Sequence, residues 1–345
     1  MELTVKAKKQ EYRVIVERDA FSRLGVYLSG LSPMRWAIVA DEKVAALYGE
    51  KAVSCLQTEG LSAQLVTIPA GEGHKTVATY ETLCRKLLQE GFSRSDGIVA
   101  LGGGMVGDLA GFAAATLLRG VTLVQVPTSL LAQVDSAIGG KVGIDVPEGK
   151  NLIGAFYPPR MVVVDPDLLW TLPTRQFRSG VAEVIKYGLI ADCSILEELM
   201  ADKPDWTHLI EKCLAIKKKL VEEDEEDLGV RHILNFGHTF GHVYEAMGQY
   251  GTYTHGEAVA AGMAQMLRWQ CARGIGGVEV YDRLLPLLEK YELPGCIHCD
   301  KATCETYLKR DKKARGDRIS IVIVAEVENA EVTSVPIEKL LEVAL

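Results

Sequence analysis

Ile98-Val99-Ala100-Leu101-Gly102-Gly103-Gly104-Met105-Val106-Gly107-Asp108 reads as a short apolar strand running into a glycine turn. Leu109–Thr116, rich in Ala and Leu, reads as the helix that follows. Strand, glycine turn and helix in that order let backbone N–H groups close on a phosphate and aim a helix N-terminus at it. Gly102, Gly104 and Gly107 satisfy G-x-G-x-x-G, a pattern that also arises where a helix presses so tightly on a sheet that only glycine fits. Two marks of the standard dinucleotide fold are missing. The motif does not open the chain, and no acidic residue follows about 20 positions later. The next stretch adds weight to the phosphate reading. Pro127-Thr128-Ser129, Asp135, Gly139-Gly140-Lys141 and Gly149-Lys150-Asn151 place hydroxyls, an amide and lysines beside glycines, the groups a phosphorylated polar ligand requires.

Outward from this stretch, strands alternate with helices. Leu3–Lys8 and Tyr12–Glu17 predict a hairpin, and Trp36–Val39 a strand ending at Asp41, with a helix to about Thr58. Gln64–Ile68 predicts a strand that runs into Glu72-Gly73-His74-Lys75, followed by a helix over Thr76–Glu90. Val121–Val126 and Met161–Val164 are further apolar strands. The alternation predicts an α/β domain with a mainly parallel sheet, whose ligands sit beyond the carboxyl ends of the strands. Asp41, Glu72 with Lys75, and Gly102–Asp108 all follow strand ends. After about Trp170 the texture becomes helical: Arg178–Ala191, Trp206–Asp227, Arg231–Met247, Thr254–Arg273 and Val278–Tyr291. Ile319–Val324 and Ala330–Val335 predict a late hairpin, and Ile337–Val343 a closing helix. The expected organisation is a nucleotide-binding domain over 1–170 and a mostly α-helical domain over 171–345, with the boundary near Leu168–Thr174.

The chain has 345 residues and a formal net charge of −8, which argues against non-specific nucleic-acid binding. No apolar run reaches the roughly 18 residues of a membrane span, and Met1–Lys6 lacks a signal-peptide core. The eight cysteines show no disulfide-scaffold spacing, which suits a reducing cytoplasm. Cys296-Ile297-His298-Cys299 with Cys304 has the shape of part of a zinc site, but lacks a second paired knuckle and is expected to be a loop of buried thiols.

Four of the seven histidines lie between positions 232 and 255. His238 and His242, at i and i+4, share a helix face, and His255-Gly256-Glu257 opens the next helix. Histidines on adjoining helix starts with a carboxylate nearby point to a catalytic metal with an open position. The carboxylate is Glu183, one turn before Lys186 in an apolar helix, or Glu257. Spacing does not choose among His238, His242 and His255.

Six motifs, in order, resemble the 3-dehydroquinate synthase family over nearly the whole chain: GGGMVGDLAGF, PTSLLAQVDSAIGGK, GKNLIGAFYPP, SGVAEVIKYGLI, RHILNFGHTFGH and HGEAVAAGM. The resemblance implies that Glu183, His238 and His255 hold a divalent metal, zinc or cobalt, with His242 on the substrate side. It implies NAD-binding roles for Asp41, Glu72, Lys75, Gly103, Gly104, Asp108, Thr128 and Ser129, and also for Lys141 and Asn151. It implies a substrate pocket of Asp135, Lys141, Asn151, Lys186, Lys217, Arg231, Asn235, His242 and a lysine of Asp311-Lys312-Lys313. Arg119 matches an arginine that reaches the neighbouring subunit's site, which implies a homodimer. The chain departs from the family pattern at Val142, Asp145, Asp227 and Ser129. Asp145 is expected to place a negative charge near Lys141.

The implied reaction converts 3-deoxy-D-arabino-heptulosonate 7-phosphate to 3-dehydroquinate and phosphate, a step of the shikimate pathway. NAD⁺ transiently oxidises the C5 alcohol while the metal polarises its oxygen; phosphate leaves, the hydride returns, the ring opens and an aldol step closes the carbocycle. Lys141, Asn151 and Lys312 or Lys313 fit the phosphate, and the fork of Arg231 fits the carboxylate. Arg231, seven residues before His238, shares a face with it if the helix is continuous. The rivals are inosose- or valiolone-type cyclases, whose substrates lack that carboxylate, a metal-dependent polyol dehydrogenase, and a non-catalytic scaffold. No ligand or lysine position is broken, which disfavours the last.

Overall fold

The computed structural model describes residues 1–8, 10–311 and 314–342. The chain divides into two compact units, Met1–Leu172 with Lys217–Glu226, and Pro173–Ile216 with Asp227–Leu345. Lys217 is thus grouped with the residues of the first half of the chain.

The first unit contains strands β1 (Glu2–Lys6), β2 (Glu11–Val16), β3 (Arg35–Asp41), β4 (Ser62–Ile68), β5 (Gly97–Gly102), β6 (Thr122–Pro127), β7 (Lys141–Val146), β8 (Gly149–Phe156) and β9 (Met161–Val164). Seven of them form one sheet in the order β1-β2-β9-β6-β5-β3-β4. The expected hairpin β1–β2 is antiparallel, and the remaining neighbours are parallel. Helices α1 (Leu24–Ser29), α2 (Glu42–Val44), α3 (Glu50–Thr58), α4 (Val77–Gln89) and α5 (Gly104–Thr116) cover it. Side chains alternate across a strand, so β3 sends Ala37 and Val39 into one core and Trp36, Ile38 and Ala40 into another. Leu83 and Leu87 of α4 and Leu109 of α5 join the first core; Leu24 and Leu28 of α1 and Leu56 of α3 join the second. Burial on both faces is why β3 and β5 read as unbroken apolar runs.

Helix α5 starts earlier than expected, at Gly104, so Met105–Asp108 belong to its first turns. Its glycines divide by role. A Cβ on Gly107 would come within 2.9 Å of Gln125 Oε1, and one on Gly111 within 2.4 Å of Val142 Cγ1. These two exist for close packing. A Cβ on Gly103 or Gly104 would meet hydroxyls instead, Ser129 Oγ at 3.3 Å and Ser136 Oγ at 3.2 Å. Strand order reverses between β3 and β5, the point where ligands of such sheets bind. Asp41 closes β3 there, and Gly103 follows β5.

The second unit holds α6 (Thr174–Ile190), α7 (Ser194–Met200), the start of α8 (Trp206–Glu223), α9 (His238–Met247), α10 (His255–Ala272), α11 (Val278–Lys290) and α12 (Lys301–Arg310). Strands β10 (Ala314–Arg315), β11 (Arg318–Glu326) and β12 (Asn329–Pro336) and helix α13 (Ile337–Leu340) close it. The expected late hairpin is β11–β12. Every residue of α6 from Ser179 to Ile190 is buried, so this part of the helix is enclosed on all sides. Helix α10 starts at His255 because Thr254 and Glu257 form a capping box.

The expected single helix over Arg231–Met247 is broken. Val230–Asn235 is a 3₁₀ segment, Gly237 has φ 80°, and α9 begins only at His238. A left-handed residue ends a helical run, so Arg231 and His238 do not share a helix face. At Gly237 a Cβ would lie 2.8 Å from Val259 O, so the turn is pressed against α10.

Helices α6 and α10 touch with no room for a side chain: a Cβ on Gly256 would sit 2.0 Å from Ser179 O. The Gly256 N–H also donates to Ser179 Oγ at 2.9 Å. Gly256→Ala is therefore expected to force the helices apart and cost about 1–3 kcal/mol. Urea unfolding should show a lower midpoint at unchanged slope; an unchanged midpoint would mean the contact yields freely.

Candidate functional site

In the first unit, charged residues gather after the strand ends around Lys75. This side chain is buried and its Nζ donates to Asp108 Oδ2 at 2.5 Å and Asn151 Oδ1 at 2.5 Å. Glu72 Oε1 lies 3.9 Å from the same Nζ and 3.6 Å from Lys150 Nζ. Burial opposes the charge on Lys75, but Asp108 and Glu72 outweigh it and raise its pKa, so it stays an ammonium. Asn151 comes from hairpin β7–β8, which the sequence reading did not anticipate. It adopts φ 53° beside a β-bulge, a conformation Asn tolerates better than most residues. Its N–H donates to Asp145 Oδ1 at 2.8 Å, and the Asp145 N–H donates to Lys75 O at 2.7 Å. The charged neighbours of Asp145 include Lys75, Glu72 and Lys150. Burial raises its pKa despite Lys75.

The other first-unit candidates are placed as follows. Asp41 Oδ1 caps α2, accepting from Lys43 N at 2.9 Å and Val44 N at 3.2 Å. The Thr128 N–H donates to Gly102 O at 2.9 Å, and Ser129 Oγ accepts from Ala132 N at 3.3 Å. Lys217 Nζ donates to Asp135 Oδ1 at 2.7 Å and also to its carbonyl oxygen, so these distant residues meet. Lys141 opens β7 with an exposed side chain. Arg119 is exposed, and both it and Leu118 lie in the left-handed region, φ 68° and 51°, a strained pair for residues with a Cβ.

In the second unit, Glu183, His238 and His255 bring one ligand atom each to within 4.8 Å of one another, the one such cluster among the described residues. Glu183 Oε1 lies 3.6 Å from His238 Nε2 and 3.5 Å from His255 Nε2. Those separations exceed hydrogen bonds. They match two atoms bound tetrahedrally to one ion at about 2.1 Å, which stand about 3.4 Å apart. The other Glu183 oxygen pairs with Lys186 Nζ one turn on; both side chains are 1% exposed.

Each histidine's Nδ1 is anchored: His238 to Phe236 O at 3.1 Å, His255 to Glu245 Oε2 at 3.2 Å. Burial outweighs the pull of Glu183 and holds the His238 pKa well below its usual value. At His255 burial acts in the same direction, but Glu245 and Glu183 overcome it and the pKa is pushed up to about 10. Glu257, the alternative carboxylate, is occupied by the capping box and by Arg175 Nε at 2.7 Å. His242 faces Asp311, Nδ1 to Oδ2 3.1 Å, rather than joining the cluster.

Arg231 is 3% exposed, a buried guanidinium. Asn235 Nδ2 donates to His232 O at 3.2 Å. Lys312 and Lys313 lie outside the described residues. Cys299 and Cys304 are buried free thiols, with Cys304 on α12 rather than in the loop expected to carry it. Sequence reasoning missed Glu245. It sits seven residues after His238, hence on the same face of α9, and is an isolated charge in an apolar helix.

A family model described as 3-dehydroquinate synthase N-terminal matches residues 65–179, and one described as 3-dehydroquinate synthase C-terminal matches 180–314. The chain is 43% identical over 351 residues to a 3-dehydroquinate synthase of Pelobacter propionicus, covering 98% of this chain and 97% of the relative. Its structure is similar to that of 2-deoxy-scyllo-inosose synthase complexed with carbaglucose-6-phosphate, NAD⁺ and Co²⁺. The TM-score is 0.90 at 26% identity, covering 99% of this chain and 98% of that one. It is also similar to 2-epi-5-epi-valiolone synthase from Streptomyces hygroscopicus with NAD⁺ and Zn²⁺ bound, at TM-score 0.88 and 25% identity, covering 97% and 96%.

The geometry separates the two histidines of α9. Elemental analysis after gel filtration is expected to find divalent metal lost from His255→Ala and retained in His242→Ala. The reverse result would overturn the donor set of Glu183, His238 and His255.

Proposed function

We infer the activity from one premise: the chain belongs to the 3-dehydroquinate synthase family. The protein converts 3-deoxy-D-arabino-heptulosonate 7-phosphate to 3-dehydroquinate and phosphate, as a carbon–oxygen lyase dependent on NAD and on zinc or cobalt. The observation that carries this reading is the Glu183, His238 and His255 donor set in a chain alike to such a synthase over its full length. One carboxylate and two imidazoles suit a catalytic zinc or cobalt with a position left for substrate. When bound, NAD supplies an acceptor that returns its hydride, and the ion supplies a Lewis acid for the substrate's alcohol oxygen.

The chain's own residues do the rest. Residues 1–170 form the NAD-binding domain, using Asp41, Glu72, Lys75, Gly103, Gly104, Asp108, Thr128 and Ser129. The charge on Lys75, kept by its carboxylate neighbours, suits an anionic ligand. Residues 171–345 form the metal- and substrate-binding domain. Lys186 stabilises the buried carboxylate of Glu183. An Nδ1–H of His242 held by Asp311 leaves its Nε2 as the lone-pair face, the state of a proton acceptor. Lys141 and Asn151, with Lys312 or Lys313, bind the phosphate, Arg231 binds the carboxylate, and Asp135, Lys217 and Asn235 complete the pocket. The protein acts in the cytoplasm as a homodimer in which Arg119 reaches the partner's site. No helix among the described residues is long and apolar enough to cross a membrane.

Redox neutrality is the direct test. With the heptulosonate phosphate, NAD⁺ and a divalent metal, phosphate should appear in step with carbocycle while NADH absorbance returns to baseline. NADH accumulating with each turnover would replace this reading with a polyol dehydrogenase.

The inosose- and valiolone-type cyclases are the second reading, favoured by fold similarity at TM-scores of 0.90 and 0.88. Arg231 separates them. Lysine keeps the charge but loses the bidentate fork, and one charge-assisted bond is worth about 1.5–3 kcal/mol. Arg231→Lys is expected to fold normally and lower kcat/KM on the heptulosonate by at least about tenfold. Unchanged kinetics would reopen the carboxylate-free substrates.

A further inference from the structure

We propose that Glu245 is the positioning residue of the metal centre, fixing the His255 imidazole in the tautomer whose Nε2 is bare toward Glu183. The inference rests on the reading of Glu183, His238 and His255 as metal ligands. An imidazole binds a metal through an unprotonated nitrogen, so its proton must sit on the other one and needs an acceptor there. His255 Nε2 faces Glu183 Oε1 at 3.5 Å, and its Nδ1 faces Glu245 Oε2 at 3.2 Å. The two ring nitrogens thus meet two different carboxylates. With a metal between Nε2 and Glu183, the one ring proton that remains sits on Nδ1 and is donated to Glu245.

His238 reaches the same tautomer by another route, through the neutral carbonyl of Phe236 at 3.1 Å. The two ligand histidines are therefore supported unequally, one by a dipole and one by a full charge. A carboxylate acceptor makes its imidazole a stronger donor to the metal than a carbonyl does. Glu245 is 3% exposed, and a carboxylate is not kept out of water without a counterpart. Helix α9 thus carries one ligand, His238, and the support for a second, His255, which belongs to α10.

The test is zinc affinity by chelator competition, together with the visible spectrum of the cobalt-substituted protein and the melting temperature of the metal-free protein. Glu245→Ala is expected to weaken zinc binding about 10–100-fold. Glu245→Gln keeps a neutral acceptor of nearly the same shape and should lose less, with an altered cobalt spectrum. A purely structural Glu245 would instead lower metal-free melting and leave the affinity of the folded protein alone; that pattern overturns the proposal. If Glu245→Ala does not fold, Glu245→Gln decides: a several-fold loss of zinc affinity supports the role, and wild-type affinity with a wild-type cobalt spectrum refutes it. Failure of the wild-type protein itself to bind zinc or cobalt would refute the ligand set, a separate result from wild-type binding that the variants leave untouched.

Discussion

A carboxylate removed from water must be matched by positive charge or by a cation. Glu183 is wholly buried, and the second unit is built around that requirement. One oxygen takes the ammonium of Lys186, and the other faces the Nε2 atoms of His238 and His255. Meeting it takes three helices at close range: α6 for the carboxylate and lysine, α9 and α10 for the imidazoles. Glycine permits the approach. Gly256 lies against Ser179, and Gly262 would place a Cβ 2.0 Å from Gly237 O. The enclosure of α6 is then a consequence, since a helix surrounded by partners has no polar face to show.

The first unit solves the inverse problem with a buried cation. Lys75 retains its charge because Asp108 and Glu72 surround it, and Asn151 supplies a neutral acceptor from a hairpin. That hairpin bulges at the needed position and sets Asn151 in a left-handed conformation. A backbone irregularity that aims one side chain is a common use of a bulge. It also ties Lys75 into the chain twice, through its side chain to Asn151 and through its carbonyl to the Asp145 N–H.

The parallel sheet was legible because strands covered on both faces become unbroken apolar runs, as in β3 and β5. Hairpin β7–β8 was not. Gly143 and Gly154 face one another so closely that a Cβ would meet backbone oxygen at 2.7 and 2.4 Å, while Leu152 and Ile153 are exposed. Neither feature follows an inside-outside alternation. Glycine misled at Gly104 and Gly107, read as a turn where α5 has already begun, with Gly107 packed against Gln125. The opposite error occurred at Gly237, where one left-handed residue splits a periodic stretch in two. For the metal candidates, His238 and His242 are equivalent by spacing; what separates them is the approach of α6 and α10, a tertiary fact. Glu257 was separable locally, since T-x-x-E before an apolar run is a capping signature. The choice of Glu183, His238 and His255 came from family resemblance, and the same three converge here.

The break at Gly237 also bears on how one scaffold serves several reactions. Cyclases named for inosose and valiolone products share this fold at TM-scores of 0.90 and 0.88 with about a quarter of residues identical. Substrate choice therefore resides in side chains grafted on the scaffold and not in the architecture. Were Arg231 and His238 on one continuous helix, any change in the arginine's setting would be transmitted to the ligand through shared helical geometry. Instead, the 3₁₀ segment carrying Arg231 ends at Asn235, and α9 starts afresh at His238 with its own support from Phe236 O. Arg231 and His238 are thus held by separate backbone elements. A chain organised this way can change what it recognises while the donor set keeps its geometry.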